Sequence, residues 1–197
     1  MLPALLLILA AVALRIVTGL AIISGTTSIS NFAPLAAIAL CSAAYFPARY
    51  KFTVPFAALL VSDVVLDLYY GYSLASPFVI SHYIGFAIVA CLGLLLSGRA
   101  SFKTLLPASI GASVIFYLVT NSVSWIYDPG YAKTFAGFIQ AQTVGLAVYG
   151  GTTPSWMFLR NSLVGDLFFT ALFVACMKFS GRHTAAIETR QPLPRTA

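Results

Sequence analysis

Six stretches of about 17 to 25 predominantly apolar residues follow one another along this chain, each long enough to cross a bilayer as a helix. They fall at roughly 3–24, 32–48, 53–70, 77–97, 104–125 and 155–179. In lipid a spanning backbone must satisfy its own hydrogen bonds, so helices or a closed barrel are the two solutions. Runs of this length select helices. The connections are mostly short, as in an antiparallel bundle, and only 8% of the residues are charged against 60% hydrophobic, where a soluble domain carries roughly 25% charge. The expected fold is an all-α integral membrane protein, a six-helix bundle over residues 1–180. A polar tail over 181–197, containing Pro192 and Pro194, is expected to be disordered.

Basic residues give the bundle a direction. Arg49 and Lys51 follow span 2, Arg99 and Lys103 follow span 4, and Lys178, Arg182, Arg190 and Arg195 close the chain. The connections after spans 1 and 3 have no basic residue, and the one after span 5 has Lys133 alone. Cytoplasmic loops collect Lys and Arg, so both termini are predicted inside, and the net charge of +6 is accounted for by topology rather than by nucleic acid. The segment 131–151 is apolar but contains Lys133, Gln140, Gln142 and Thr143, and a crossing there would put the basic tail outside. It reads as a short helix in the outer mouth. The first run lacks a basic n-region, is long for a signal peptide and is interrupted by Arg15, so it reads as a retained span.

Against this apolar background the ionisable residues stand out. Arg15, Asp63, Asp67 and Asp166 lie within spans, and Arg160 lies near the end of one. Each costs about 2.5 to 3.5 kcal/mol at mid-membrane on the insertion scale, which argues for a protein-lined polar site. With the termini inside, Asp63, Asp67, His82, Asn121, Arg160 and Asn161 fall at middle to outer depth among Tyr69, Tyr70, Tyr72, Tyr83, Trp125, Tyr127, Tyr131 and Tyr149. That mixture is the composition of an outward-facing small-molecule pocket; it is equally the composition of an aromatic belt at the membrane boundary. Asp63 and Asp67 share one helix face, where they could hold a cation or a proton, or simply pair with Arg15 or Arg160. Asp166 could cap a neighbouring segment or pair with Arg15, and His82 could carry a proton or pack. Asn121 needs a partner within the bundle.

Other chemistry is poorly represented. Cys41, Cys91 and Cys176 are an odd set within spans and read as small packing residues. The chain has no CxxC, HExxH, P-loop or GxGxxG, so no protein-built metal site, no cofactor and no enzymatic activity are expected. Small residues allow close helix approach: Ala33 with Ala37 and Ala39 with Ala43 in span 2 suit a helix packed on all sides, while Ala4, Ala10, Ala11 and Ala13 give span 1 a surface for another span or another protein.

The stretches NFAPLAAIAL (31–40), SDVVLDLYYG (62–71), FYLVTNSVSW (116–125), YAKTFAGF (131–138) and RNSLVGDLFFTALF (160–173) resemble a bacterial family of uncharacterised six-span inner-membrane proteins. That family is in turn similar to the substrate-binding S components of energy-coupling factor (ECF) vitamin transporters. The resemblance implies a bundle that binds a vitamin-like or metal-like micronutrient, cobalamin among the candidates, near its outer face, capped by the loops after spans 1, 3 and 5. It also implies a partner, an ECF coupling subunit with two ATPases docked through span 1, although span 1 lacks an i, i+4 alanine pattern and a solitary transporter is the other form. On this reading Asp67, Tyr69, Tyr83, Asn121, Trp125, Tyr131, Arg160 and Asn161 line the pocket, Arg15, Asp63, Asp166 and His82 support it from behind, and Arg160→Ala abolishes binding. The competing expectation is a membrane scaffold, MreD-like, whose bundle is filled by side chains and receives a partner helix.

Overall fold

The computed structural model describes residues 2–21, 34–71, 73–146 and 154–188, and all regular structure among them is helical. The helices are α1 (Leu2–Ala21), α2 (Leu35–Tyr45), α3 (Thr53–Tyr70), α4 (Pro77–Leu95), α5 (Phe102–Tyr127), α6 (Phe135–Gln142) and α7 (Ser155–Glu188), with a 3-10 turn at Ala48–Tyr50. Five of them, α1, α3, α4, α5 and α7, are long and apolar enough to cross a membrane. The chain is therefore a helical protein with the character of a membrane protein.

The second expected span is the exception. Its helix has 11 residues, about 16 Å of rise against a hydrocarbon core of about 30 Å. Prolines set both limits. Pro34 stands at the N-cap, and Phe46 is extended (ψ 154°) immediately before Pro47, as the steric demand of a following proline ring requires. Residues 32 and 33 of that expected span lie outside the described residues. What α2 lacks in length it has in burial: every residue from Ala36 to Ala44 is buried. It packs on α4, α5 and α7, with α3 alongside, so a half-length helix is the axis of the bundle.

Small residues make that axis tight, as the alanine spacing foreshadowed. Gly93 of α4 passes so close to α2 that a Cβ there would stand 2.3 Å from the Leu40 carbonyl oxygen and 2.9 Å from the Ala43 Cβ. Gly93→Ala is expected to separate the two helices at a cost of about 1–3 kcal/mol, read as a lower unfolding midpoint in detergent; an unchanged midpoint would mean that α2 is free to shift. Ala4, Ile8 and Ala11 of α1 are also buried in the core, whereas Ala10 and Ala13 face outward. The small-residue surface of α1 is thus divided, part of it spent inside this chain. Among the cysteines, Cys41 is buried and Cys176 half-buried, but Cys91 faces outward on α4.

One further boundary differs from expectation. Helix α7 continues to Glu188, past Gly181, because Ala185 and Ala186 favour helix and no proline intervenes before Pro192. The short helix expected at the mouth is present as α6, started by Thr134, whose side chain accepts a hydrogen bond from the Gly137 N–H. At the end of α3, Gly71 takes the left-handed conformation (φ 71°) that terminates a helix cheaply, its N–H returning to the Asp67 carbonyl.

The two ends of the bundle differ in charge. At one end Lys51 Nζ donates to Ser97 Oγ at 2.7 Å and Lys178 Nζ lies 4.9 Å from the Phe102 ring centroid. These contacts gather the turns carrying Arg49, Lys51, Arg99 and Lys103 with the later part of α7. At the other end the Tyr70 hydroxyl bonds the Gly19 carbonyl, and Trp125 Nε1 donates to the Ala132 carbonyl at 3.0 Å.

Candidate functional site

A cavity of about 330 Å³ lies in the half of the bundle remote from the basic end. Each surrounding element contributes the part that lies there: the second half of α1 and the ends of α3 and α5, the beginnings of α4 and α7, and the first turn of α2. Its polar wall includes Arg15, His82, Asn121 and Asp166, and its aromatic wall Tyr70, Phe116, Tyr117 and Phe158.

The first turn of α2 explains Asp166. A helix start leaves backbone N–H groups without partners, and Pro34 offers no side-chain cap. Asp166, 129 residues further on, supplies one from α7: its Oδ1 accepts from the Ala37 N–H at 2.8 Å. Its Oδ2 accepts from Ser113 Oγ at 2.7 Å. The carboxylate is 2% exposed and sits where the helix dipole is positive, which is the capping role that the sequence allowed it.

Arg15 resolves the other pairing. Its guanidinium is bonded to Ser62 and lies 2.6 Å from Asp63 Oδ1, so Asp63, also 2% exposed, is half of an ion pair between α1 and α3. Asp63 Oδ2 has no hydrogen-bond partner, nor does Oδ2 of Asp67 one turn further along the same face. His82 stacks on Phe116 with centroids 6.0 Å apart, and its buried Nδ1 is likewise unpartnered.

The residues expected on the wall and those expected behind it largely exchange places. Asn121 is on the cavity wall, as expected, its amide Nδ2 donating to the Tyr117 carbonyl at 3.0 Å. Asp67 and Tyr83 are half-buried near Asp63 but off the wall. Tyr69 is exposed and meets Tyr70 edge-on. Arg160 is exposed, donating to Asn161 Oδ1 at 3.0 Å and lying 5.9 Å from the Trp156 ring centroid. Asn161 is buried beneath it. Trp125 and Tyr131 belong to the mouth: Trp125 packs edge-on against Phe138 of α6, and Tyr131 is 7% exposed. Burial, with the Asp128 carboxylate second, raises the Tyr131 phenol above its ordinary range. Conversely Arg15, His82 and Asp166, expected in support, line the cavity itself, while Asp63 does stand behind Arg15. The reason is azimuthal. Depth along a helix follows from sequence, but which face turns inward depends on the neighbours. Tyr72, Tyr149 and most of the loop expected to cap the site after span 1 lie outside the described residues.

Apart from Asn121, one wall went unrecognised in the sequence. Ser113, Tyr117, Thr120, Asn121 and Ser124 of α5 all face the cavity, and a spacing of four, three and four through 113, 117, 120 and 124 is a polar stripe on an otherwise apolar helix. That periodicity was the available signal.

A family model described as a family of unknown function, DUF6580, matches residues 1–188, and the chain belongs to this family. No curated protein and no solved structure matches it.

Proposed function

We propose that this DUF6580 protein is a membrane uptake protein that binds a small solute in the cavity between its helices. The carrying observation is the cavity itself, about 330 Å³ in the half of the bundle remote from the basic connections, with polar groups on an aromatic wall. Its volume stands at the lower end of the 300–1,000 Å³ range of ligand sites, which suits a single vitamin-sized heterocycle. A corrinoid is several times larger than this volume, so the reading favours the smaller solutes over cobalamin. The positive-inside rule favours the basic end as cytoplasmic, which would leave both termini inside a bacterial inner membrane and the cavity on the outer side. The half-length α2 takes the place of the sixth span in an ECF S-component-like bundle. Transport would proceed alone or on a coupling subunit with ATPases, for which the outward face of α1, with Leu6, Leu9, Ala10, Ala13 and Val17, is the available surface. The MreD-like scaffold reading expects an interior filled by side chains, and the open cavity weighs against it.

Native mass spectrometry of mildly purified protein, with thermal-shift screening against vitamins, small heterocycles and divalent metals, tests the reading. One stoichiometric solute is expected, stabilising by about 2.7 kcal/mol at a hundredfold excess over Kd. Thr120→Trp, which fills the cavity, is expected to expel it, and Arg160→Ala to retain it. Loss in Arg160→Ala alone would move the site to the outer mouth, and an empty protein with a co-purifying membrane partner would favour the scaffold.

A further inference from the structure

Resting on the solute-binding reading, we infer that the cavity takes a small organic cation bearing N–H donors, such as an amidinium or a protonated amine on a ring, and discriminates against anions. The hydrogen-bond inventory of the wall points there. Thr18 donates its hydroxyl proton to the carbonyls of Leu14 and Arg15, Thr120 to those of Phe116 and Tyr117, and Ser124 to that of Thr120. Ser113 donates to the Ser109 carbonyl and to Asp166, and Tyr117 to the Gln142 carbonyl. Each hydroxyl has one proton and two lone pairs, so with the protons committed to the protein these groups offer a guest lone pairs. Asn121 turns its amide nitrogen to the Tyr117 carbonyl, leaving its carbonyl oxygen as a further acceptor. A ligand that brings its own N–H groups satisfies these hydroxyl and amide oxygens; a carboxylate or phosphate meets them as acceptor against acceptor and finds donors only on Arg15 and His82, of which Arg15 is already engaged by Ser62 and Asp63.

Charge agrees with the inventory. Arg15 is the one cationic side chain among the described residues on the wall, and its two terminal nitrogens are turned to Ser62 and Asp63. Asp166 on the wall, Asp63 behind it and Asp67 one turn away set three carboxyl groups, each able to ionise beside a bound cation, against that one guanidinium. Oδ2 of Asp67 is buried without a partner, and a cation in the cavity supplies the countercharge that Asp67, unlike the Arg15-paired Asp63, lacks. Tyr70, Phe116, Tyr117 and Phe158 present ring surface to the same space, and aromatic faces attract cations and flat heterocycles.

Three probes of nearly equal size and shape separate charge from fit: benzamidinium, benzamide and benzoate, each titrated into the full-length chain in mild detergent at neutral pH, with binding followed by calorimetry and thermal unfolding. Benzamidinium is expected to bind most tightly, benzamide more weakly and benzoate not at all. Asp67→Asn, whose Oδ2 has no partner to lose, is expected to weaken benzamidinium by about tenfold or more while leaving benzamide unchanged. Asp166→Asn, checked for native helicity, serves as the second charge-removing variant. Benzoate binding as tightly as benzamidinium, or benzamidinium binding unmoved by both substitutions, overturns the cation assignment; if Thr120→Trp still abolishes that binding, the cavity remains a solute site. No binding of any probe, together with an empty native mass spectrum, overturns both readings.

Discussion

Arg15→Ala is expected to destabilise the protein by about 3–5 kcal/mol, the cost of leaving one member of a buried ion pair without the other. The Arg15 guanidinium spans two groups of α3, Ser62 and Asp63, and Asp63 is 2% exposed with its second oxygen already unpartnered. Removing the guanidinium would leave an acidic group inside a helical bundle with neither water nor countercharge. The double substitution Arg15→Met with Asp63→Leu removes both charges and replaces them with apolar volume, and it is expected to recover most of the loss, since buried pairs exchanged for packed hydrophobes are often neutral or better. Reversible unfolding in mixed micelles, run as a double-mutant cycle, gives the coupling directly. Equal losses in the single and double variants would mean that the pair contributes packing rather than charge compensation.

Asp166→Ala is expected to cost roughly 2 kcal/mol by a different route. The Ala37 N–H would lose its buried acceptor, and the Ser113 hydroxyl would be left with the Ser109 carbonyl alone; an orphaned donor costs about 1–3 kcal/mol, less the relief of no longer burying a carboxylate. Because the damage falls at the first turn of α2, protection of the amides from Leu35 to Ala39 against hydrogen exchange is expected to fall before that of α5 or α7. Asp166→Asn keeps a carbonyl oxygen for one donor and is expected to lose about half as much. Full stability in Asp166→Ala would show that α2 starts without help from α7.

Both effects come from contacts between helices, and the sequence left each of them open. Hydropathy placed Arg15, Asp63 and Asp67 at compatible depths, but Arg15 and Arg160 were equal candidates for either carboxylate. Only the bundle turns α1 toward α3 and leaves Arg160 at the surface against Trp156. Asp166 was legible as a capping or pairing residue, yet its partner lies 129 residues away, beyond any local signal. Asn121 was recognised on the wall because an amide within an apolar helix must find a partner. The hydroxyl stripe of α5 was legible in principle and overlooked, because serine and threonine satisfy themselves on their own helix backbone and so carry little weight in a hydropathy reading.

Sequence alone set the solvent of each segment: six apolar runs, of which five are long helices, a short helix at the mouth, and basic residues collected in alternate connections. These properties belong to one stretch of chain and its transfer energy from water to lipid, and they need no partner. The tertiary structure alone decided that the second apolar run would be a half-length buried axis, since its prolines limit the helix but only α4, α5 and α7 enclose it and only Asp166 satisfies its start. It also decided which ionisable groups face the cavity and which face away. Rotation about a helix axis leaves hydropathy unchanged, whereas packing, countercharge and buried hydrogen bonds depend on it.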